Sequence, residues 1–244
     1  MFRLALEEGL PRTARTLLVK TLVLTGEDSL EQVRQLEQIY LANRDCGDGL
    51  LLGLLADLPE RSTPASRADR GLVRRLESAL QELNRRYEGR FFLFYRNPVY
   101  QSCQGTFAGW ERKRGALLEL ARLLRGRRTG LTVCAGDPVR LQGVQYLATL
   151  DGDTDPGVGG IRPLVGAMVH PLNKPKLDPT RGVVRRGYAV LQPQVRTALS
   201  AAARNPFTQL FAGGAGTDPY RGTGSELCHD LFNRSSFCGK GILD

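Results

Sequence analysis

The chain has 244 residues, a net charge of +9 and a globular composition, 41% hydrophobic and 24% charged. These values exclude a disordered chain and fit one larger α/β domain or two small ones. No apolar stretch approaches the roughly 20 residues that a bilayer span needs, and the opening MFRLALEEGLPRTAR carries acids early, so neither a membrane helix nor a secretory signal is expected.

In chain order, residues 13–26 (TARTLLVKTLVLTG) read as a buried strand with Lys20 inside it. A helix follows over 29–43, with Leu30, Val33, Leu36 and Ile39 at helical spacing and Ser29 with Gln32 as a capping box. Residues 49–60 (GLLLGLLADLPE) are a short apolar strand running into Asp57 and Pro59. Residues 67–87 are a second helix, with Leu72, Leu76, Leu80, Leu83 and Tyr87 on one face. RFFLFYR (90–96) is a third strand, residues 111–126 a third helix, and GVQYLATL (143–150) a fourth strand. This alternation predicts a parallel sheet with helices on its faces. Ligands of such sheets bind beyond the carboxyl ends of the strands, an edge that would carry Asp57, Arg96 and the acids after residue 150. Past Gly157 the periodicity fades, with a strand expected within 185–195 and a short helix within 196–205.

The positive charge favours anionic partners: phosphates, nucleic acid or an acidic membrane face. No helix-turn-helix, zinc-finger or glycine-aromatic RNA-binding pattern accompanies it, so nucleic acid is not expected. Most arginines fall on exposed helix faces. Five cysteines (Cys46, Cys103, Cys134, Cys228 and Cys238) contain no pair at metal-ligand spacing, and there are two histidines. A structural zinc site is therefore not expected, and reduced thiols are.

Two stretches carry candidate chemistry. YLATLDGDTDPG (146–157) runs from an apolar strand into Asp151, Asp153 and Asp155. A calcium loop fits poorly, because Pro156 sits where such a loop needs glycine and Arg162 where it needs glutamate. A solvated turn and the D-x-D pair of nucleotide-sugar transferases both remain open. In such a pair two carboxylates hold Mg²⁺ or Mn²⁺ against a diphosphate. The second stretch is GWERKRG (109–115), where Arg112, Lys113 and Arg114 open a helix. That arrangement makes an anion site or a solvated basic helix end. A third motif, Gly239-Lys240-Gly241, would let backbone approach a phosphate or merely turn.

These motifs occur together with YLANRD (40–45), ELNRRY (82–87), LVGAMVHPLNKP (164–175), GYAVLQPQV (187–195), DPY (218–220) and GKGILD (239–244). Taken together, the chain resembles the central glycosyltransferase region of cyclic β-1,2-glucan synthases, the large membrane-associated bacterial enzymes. The resemblance implies a GT-A type, Rossmann-like nucleotide-sugar transferase fold: a parallel or mixed sheet flanked by helices, incomplete at the C-terminus. It implies residues 1–155 as the donor-binding half and 156–244 as the acceptor-side half of one domain. It further implies UDP-glucose as donor, a growing β-glucan as acceptor, Mn²⁺ or Mg²⁺ as cofactor, inverting transfer, and the cytoplasmic side of the inner membrane as location. The remaining domains of the synthase would be its partners. By position, Asp151 and Asp153 match the metal-binding acids. Lys113 matches a basic motif beside the donor diphosphate, with Arg112, Arg114 and Lys240 as further donor contacts, and Asp57 matches an acid near the donor base or ribose.

The sequence departs from the family at Lys20, where the first strand usually reaches Pro-Thr, at Gly152, where Ala or Ser is more usual, and before Asp230. The family's catalytic base is expected beyond Asp244, with Asp230 the candidate inside the chain, so this piece alone is expected to be inactive. A related processive transferase of other linkage and a non-catalytic basic binding domain are the alternatives.

Overall fold

The computed structural model describes residues 1–26, 28–193 and 239–244. Its elements run β1 (Thr16–Val23), α1 (Asp28–Ala42), β2 (Leu50–Asp57), α2 (Arg67–Arg86), β3 (Phe91–Arg96), β4 (Val99–Gln101), β5 (Thr106–Ala108), α3 (Arg112–Leu124), β6 (Leu131–Ala135), β7 (Tyr146–Asp151), α4 (Ile161–Val169), β8 (Lys176–Asp178), β9 (Val183–Arg186), β10 (Val190–Leu191) and β11 (Gly241–Leu243). Met1–Leu191 and Gly241–Asp244 form one compact unit; Gln192–Lys240 forms a second, of which 194–238 lie outside the described residues. No described helix is long and apolar enough to cross a membrane.

The main sheet has the order β10-β11-β7-β1-β2-β3-β6. Its centre, β7-β1-β2-β3, is parallel, and the flanking β6, β10 and β11 are antiparallel. The architecture is mixed α/β and Rossmann-like, as expected. The parallel strands are apolar on both faces because both faces are covered. On one face Leu18, Leu52, Leu54 and Leu93 pack under Val33, Leu36 and Ile39 of α1, Leu72, Leu76, Leu80 and Leu83 of α2, and Ile161, Val165 and Met168 of α4. On the other, Leu17, Val19, Leu51, Leu55, Phe92 and Phe94 pack under Ala116 and Leu120 of α3.

Three local expectations change. The capping box at Ser29 and Gln32 does not form. α1 starts at Asp28, so Ser29 lies within its first turn, and Ser29 Oγ and Gln32 Oε1 are buried without a hydrogen-bond partner. The box occurs instead on α2, where Ser66 Oγ accepts from the Asp69 amide and the Asp69 carboxylate accepts from the Ser66 amide. The strand expected within 185–195 is two short strands, β9 and β10, broken at Gly187. A side chain there would meet the Lys174 carbonyl. Residues 161–169, read as irregular, form α4. The helix expected within 196–205 lies outside the described residues.

Lys20 occupies a core position on β1, 2% exposed, and its ammonium donates to Gln35 Oε1 at 2.7 Å. Burial pushes its pKa down, partly countered by the charges of Asp155 and Asp153. The folded pKa therefore lies below the unfolded value of 10.5. The unfolded chain holds the proton more tightly, so stability rises with pH between those two values. Lys20→Met is expected to stabilise the fold by about 1–2 kcal/mol at neutral pH, since an apolar side chain avoids burying charge. It should also flatten that alkaline rise. Urea midpoints measured from neutral to alkaline pH check both; an unchanged pH profile in the variant counts against the buried ammonium.

Candidate functional site

Register brings the candidate residues to one edge. Asp57 ends β2 opposite Val23 of β1 and Arg96 of β3, and Asp151 ends β7 opposite Thr21. All lie at the carboxyl ends of parallel strands. A cavity of about 420 Å³ opens there, walled by Thr21, Leu22 and Val23 of β1, Leu55 and Asp57–Glu60 at the end of β2, Ala108 and Gly109, and Arg112, Lys113 and Ala116 of α3.

The three basic residues that open α3 go different ways. Lys113 turns inward, and its ammonium pairs with Asp151 Oδ1 across 38 residues of sequence. Arg112 stands on the cavity rim, 2.8 Å from Glu60 Oε2. Arg114 is exposed and pairs with Glu111 one turn back, at 3.2 Å. Exposed arginines elsewhere do the same: Arg34 pairs with Glu31 and Arg85 with Glu82. Much of the helix-face charge is thus locally neutralised.

Two glycines and two left-handed residues shape the turn before α3. Glu111 has φ 54° and Arg112 φ 45°, a conformation costing a non-glycine residue roughly 1–2 kcal/mol. Arg96 lies inside this turn, 3% exposed. Its Nε donates to Asp57 Oδ1 at 2.8 Å and its Nη2 to Asp57 Oδ2 at 2.5 Å. Nη1 donates to the Trp110 carbonyl and Nη2 to the Arg112 carbonyl, both at 2.8 Å. Asp57 therefore lines the cavity with both carboxylate oxygens already accepting from Arg96. The sequence placed Arg96 on the edge without assigning it a task. The available signal was a charged residue closing an otherwise apolar strand, FFLFYR.

The acidic loop is shaped by its own side chains and by α1. Asp153 is exposed and accepts from the Thr154 hydroxyl at 3.1 Å; Asp155 accepts from the Gly157 amide at 2.7 Å. Beyond it, Asn43 donates to the Gly157 carbonyl and accepts from the Ile161 amide, each at 3.1 Å. Arg162 pairs with Asp45 at 3.1 Å. Asn43 and Asp45 thus moor the acidic loop to the end of α1, which gives YLANRD a structural role. Cys46 behind them is fully buried and its thiol is pushed up to about 12 by burial, so it has no thiolate chemistry at neutral pH.

Lys240 immediately precedes Gly241, which pairs with Thr149 of β7. Asp218, Asp230, Cys228 and Cys238 lie outside the described residues. Among the described residues no group of three or more His, Cys, Asp and Glu side chains gathers as a metal cage. Asp151 and Asp153 supply two carboxylates at the strand end. That donor set suits an ion that takes its other ligands from phosphate and water.

In an alignment of 241 residues that covers 96% of the chain, it is 36% identical to cyclic beta-(1,2)-glucan synthase NdvB of Rhizobium meliloti (strain 1021). The chain is homologous to a segment of a cyclic β-(1,2)-glucan synthase. It spans 8% of that relative's length. No family model matches it.

Proposed function

We propose that this chain is the donor-binding part of an inverting glucosyltransferase that builds β-1,2-linked glucan from UDP-glucose with Mn²⁺ or Mg²⁺. It works within a larger bacterial synthase, on the cytoplasmic side of the membrane. The observation that carries this reading is the Lys113–Asp151 pair at the carboxyl edge of the sheet, beside the cavity. Cation and carboxylate arrive there from distant segments and hold each other; a metal diphosphate offers each a more highly charged partner. Asp151 and Asp153 would hold the ion and Lys113 the diphosphate, with Arg112 on the rim. When bound, the ion would offset the negative charge that builds on the departing diphosphate. Transfer is a direct displacement: an acceptor hydroxyl, deprotonated by a base, attacks the anomeric carbon as UDP leaves.

Calorimetry with UDP-glucose, UDP and uridine, with Mn²⁺, Mg²⁺ or chelator, tests this. Diphosphate binding is expected to need the metal, and uridine binding is not. A non-catalytic basic domain would instead bind polyanions with steep salt dependence and no metal requirement. Lys113→Ala is expected to weaken UDP by on the order of 1.5–3 kcal/mol, because a charge-assisted contact is lost, and to leave uridine nearly unchanged. Equal losses for both ligands would return Lys113 to the role of a solvated helix end.

A further inference from the structure

We propose that Arg96 is a positioning residue: its buried guanidinium fixes the left-handed turn at Glu111 and Arg112 and thereby aims Lys113 at the donor diphosphate. The proposal rests on the reading of Lys113 given above and deepens it.

A guanidinium has five N–H donors in a fixed planar fork. Four are engaged here. Two clasp both oxygens of Asp57, and the other two hold the carbonyls of Trp110 and Arg112. Those carbonyls bracket Glu111, and the two positive-φ residues are Glu111 and Arg112. Left-handed non-glycine residues persist only where their surroundings over-determine them; a buried fork bonded on both sides of the turn does that. Asp57 ends β2, so the turn is tied through Arg96 to the rigid parallel sheet. Lys113 follows directly.

The glycines of GWERKRG support the same role. A Cβ at Gly109 would come within 2.3 Å of Arg96 Nη2, and one at Gly115 within 2.9 Å of Nη1. The two glycines form the slot in which the guanidinium lies, which accounts for glycine at both ends of the basic run. Lysine at position 96 would keep the charge but has a single ammonium with no planar fork, so it cannot bond Asp57 and both carbonyls in this geometry.

Trp110 is the single tryptophan of the chain, so its fluorescence reports on the turn without any ligand. Two single variants, Arg96→Lys and Gly109→Ala, and their double combination are compared with wild type in the full chain. Each single variant is expected to raise acrylamide quenching of Trp110 and to weaken UDP about tenfold while uridine affinity changes less than about threefold. The double variant should be no worse than Arg96→Lys alone, since Gly109→Ala acts only by displacing the guanidinium. A merely structural role would lower UDP and uridine affinity together and give additive losses, and would overturn the proposal. So would unchanged quenching together with an unchanged UDP-to-uridine ratio in folded variants. If Arg96→Lys does not fold, the same readouts on Gly109→Ala alone decide. If wild type binds no UDP under any metal, the donor reading fails and with it the link to the diphosphate, while Trp110 quenching still decides whether Arg96 holds the turn.

Discussion

Asp153→Ala is expected to abolish the metal-dependent part of UDP binding, with affinity in Mn²⁺ falling tenfold or more to the level seen with chelator. Removing one of two carboxylates from a hard-cation site takes away a charge-assisted contact, and a factor of ten corresponds to about 1.4 kcal/mol. Asp153 is the cleaner residue of the pair to test. It is exposed beyond the end of β7, its hydrogen bond is to the adjacent Thr154 hydroxyl, and its charge is the smaller of the two that offset the burial of Lys20, so truncation should cost the fold little. Asp151→Ala would also remove an ion partner of Lys113 and mix two effects. Titrations with Mn²⁺, Mg²⁺ and chelator on wild type and variant decide the matter. Full metal dependence retained in Asp153→Ala would remove this residue from the site.

The same residues show how much of the site was legible from sequence. The four parallel strands were, because burial on both faces leaves near-continuous apolar runs such as LLLGLLAD. The long helices were, because α2 repeats leucine every three or four residues toward the core. β6 was not: LTVCA is five residues at a sheet edge, with too little alternation to stand out. β11 was not either, since three residues acquire strand character only by pairing with β7 from far along the chain. α4 was missed because it is short, carries Pro163 in its first turn and has no side-chain cap. At the site, sequence placed Asp57, Arg96 and Asp151 on one edge, because each closes an apolar run. The partners were hidden. Lys113 meets Asp151, and Arg96 meets Asp57, across 38 and 39 residues, and no local pattern encodes such pairings. The motif GWERKRG was visible as a string, but its glycines gained a physical reason only once Arg96 was found between them.

Gly115→Ala gives the sharpest contrast between local propensity and tertiary contact. Gly115 is buried near the start of α3, where alanine is the better helix former by about 1 kcal/mol. Propensity alone therefore predicts a more stable protein. The structure predicts the reverse, since a Cβ at this position would lie 1.9 Å from the Trp110 carbonyl oxygen and 2.9 Å from Arg96 Nη1. The first is backbone and the second belongs to a guanidinium bonded on both edges, so neither is free to yield. Overpacking a close contact costs about 1–3 kcal/mol, and a 1.9 Å approach to backbone sits at the upper end of that range, above the gain in propensity. The net expectation is a loss of about 2 kcal/mol, read as a melting temperature lower by roughly 4–8 °C for a chain of this size. Gly71→Ala in α2 is the matched control, because a Cβ there meets nothing within 4 Å. It should gain about 0.5–1 kcal/mol. Thermal melts of the two variants should therefore move in opposite directions from wild type. If Gly115→Ala melts as high as Gly71→Ala, the turn does not approach α3 as closely as described, and the slot assigned to Arg96 is lost with it.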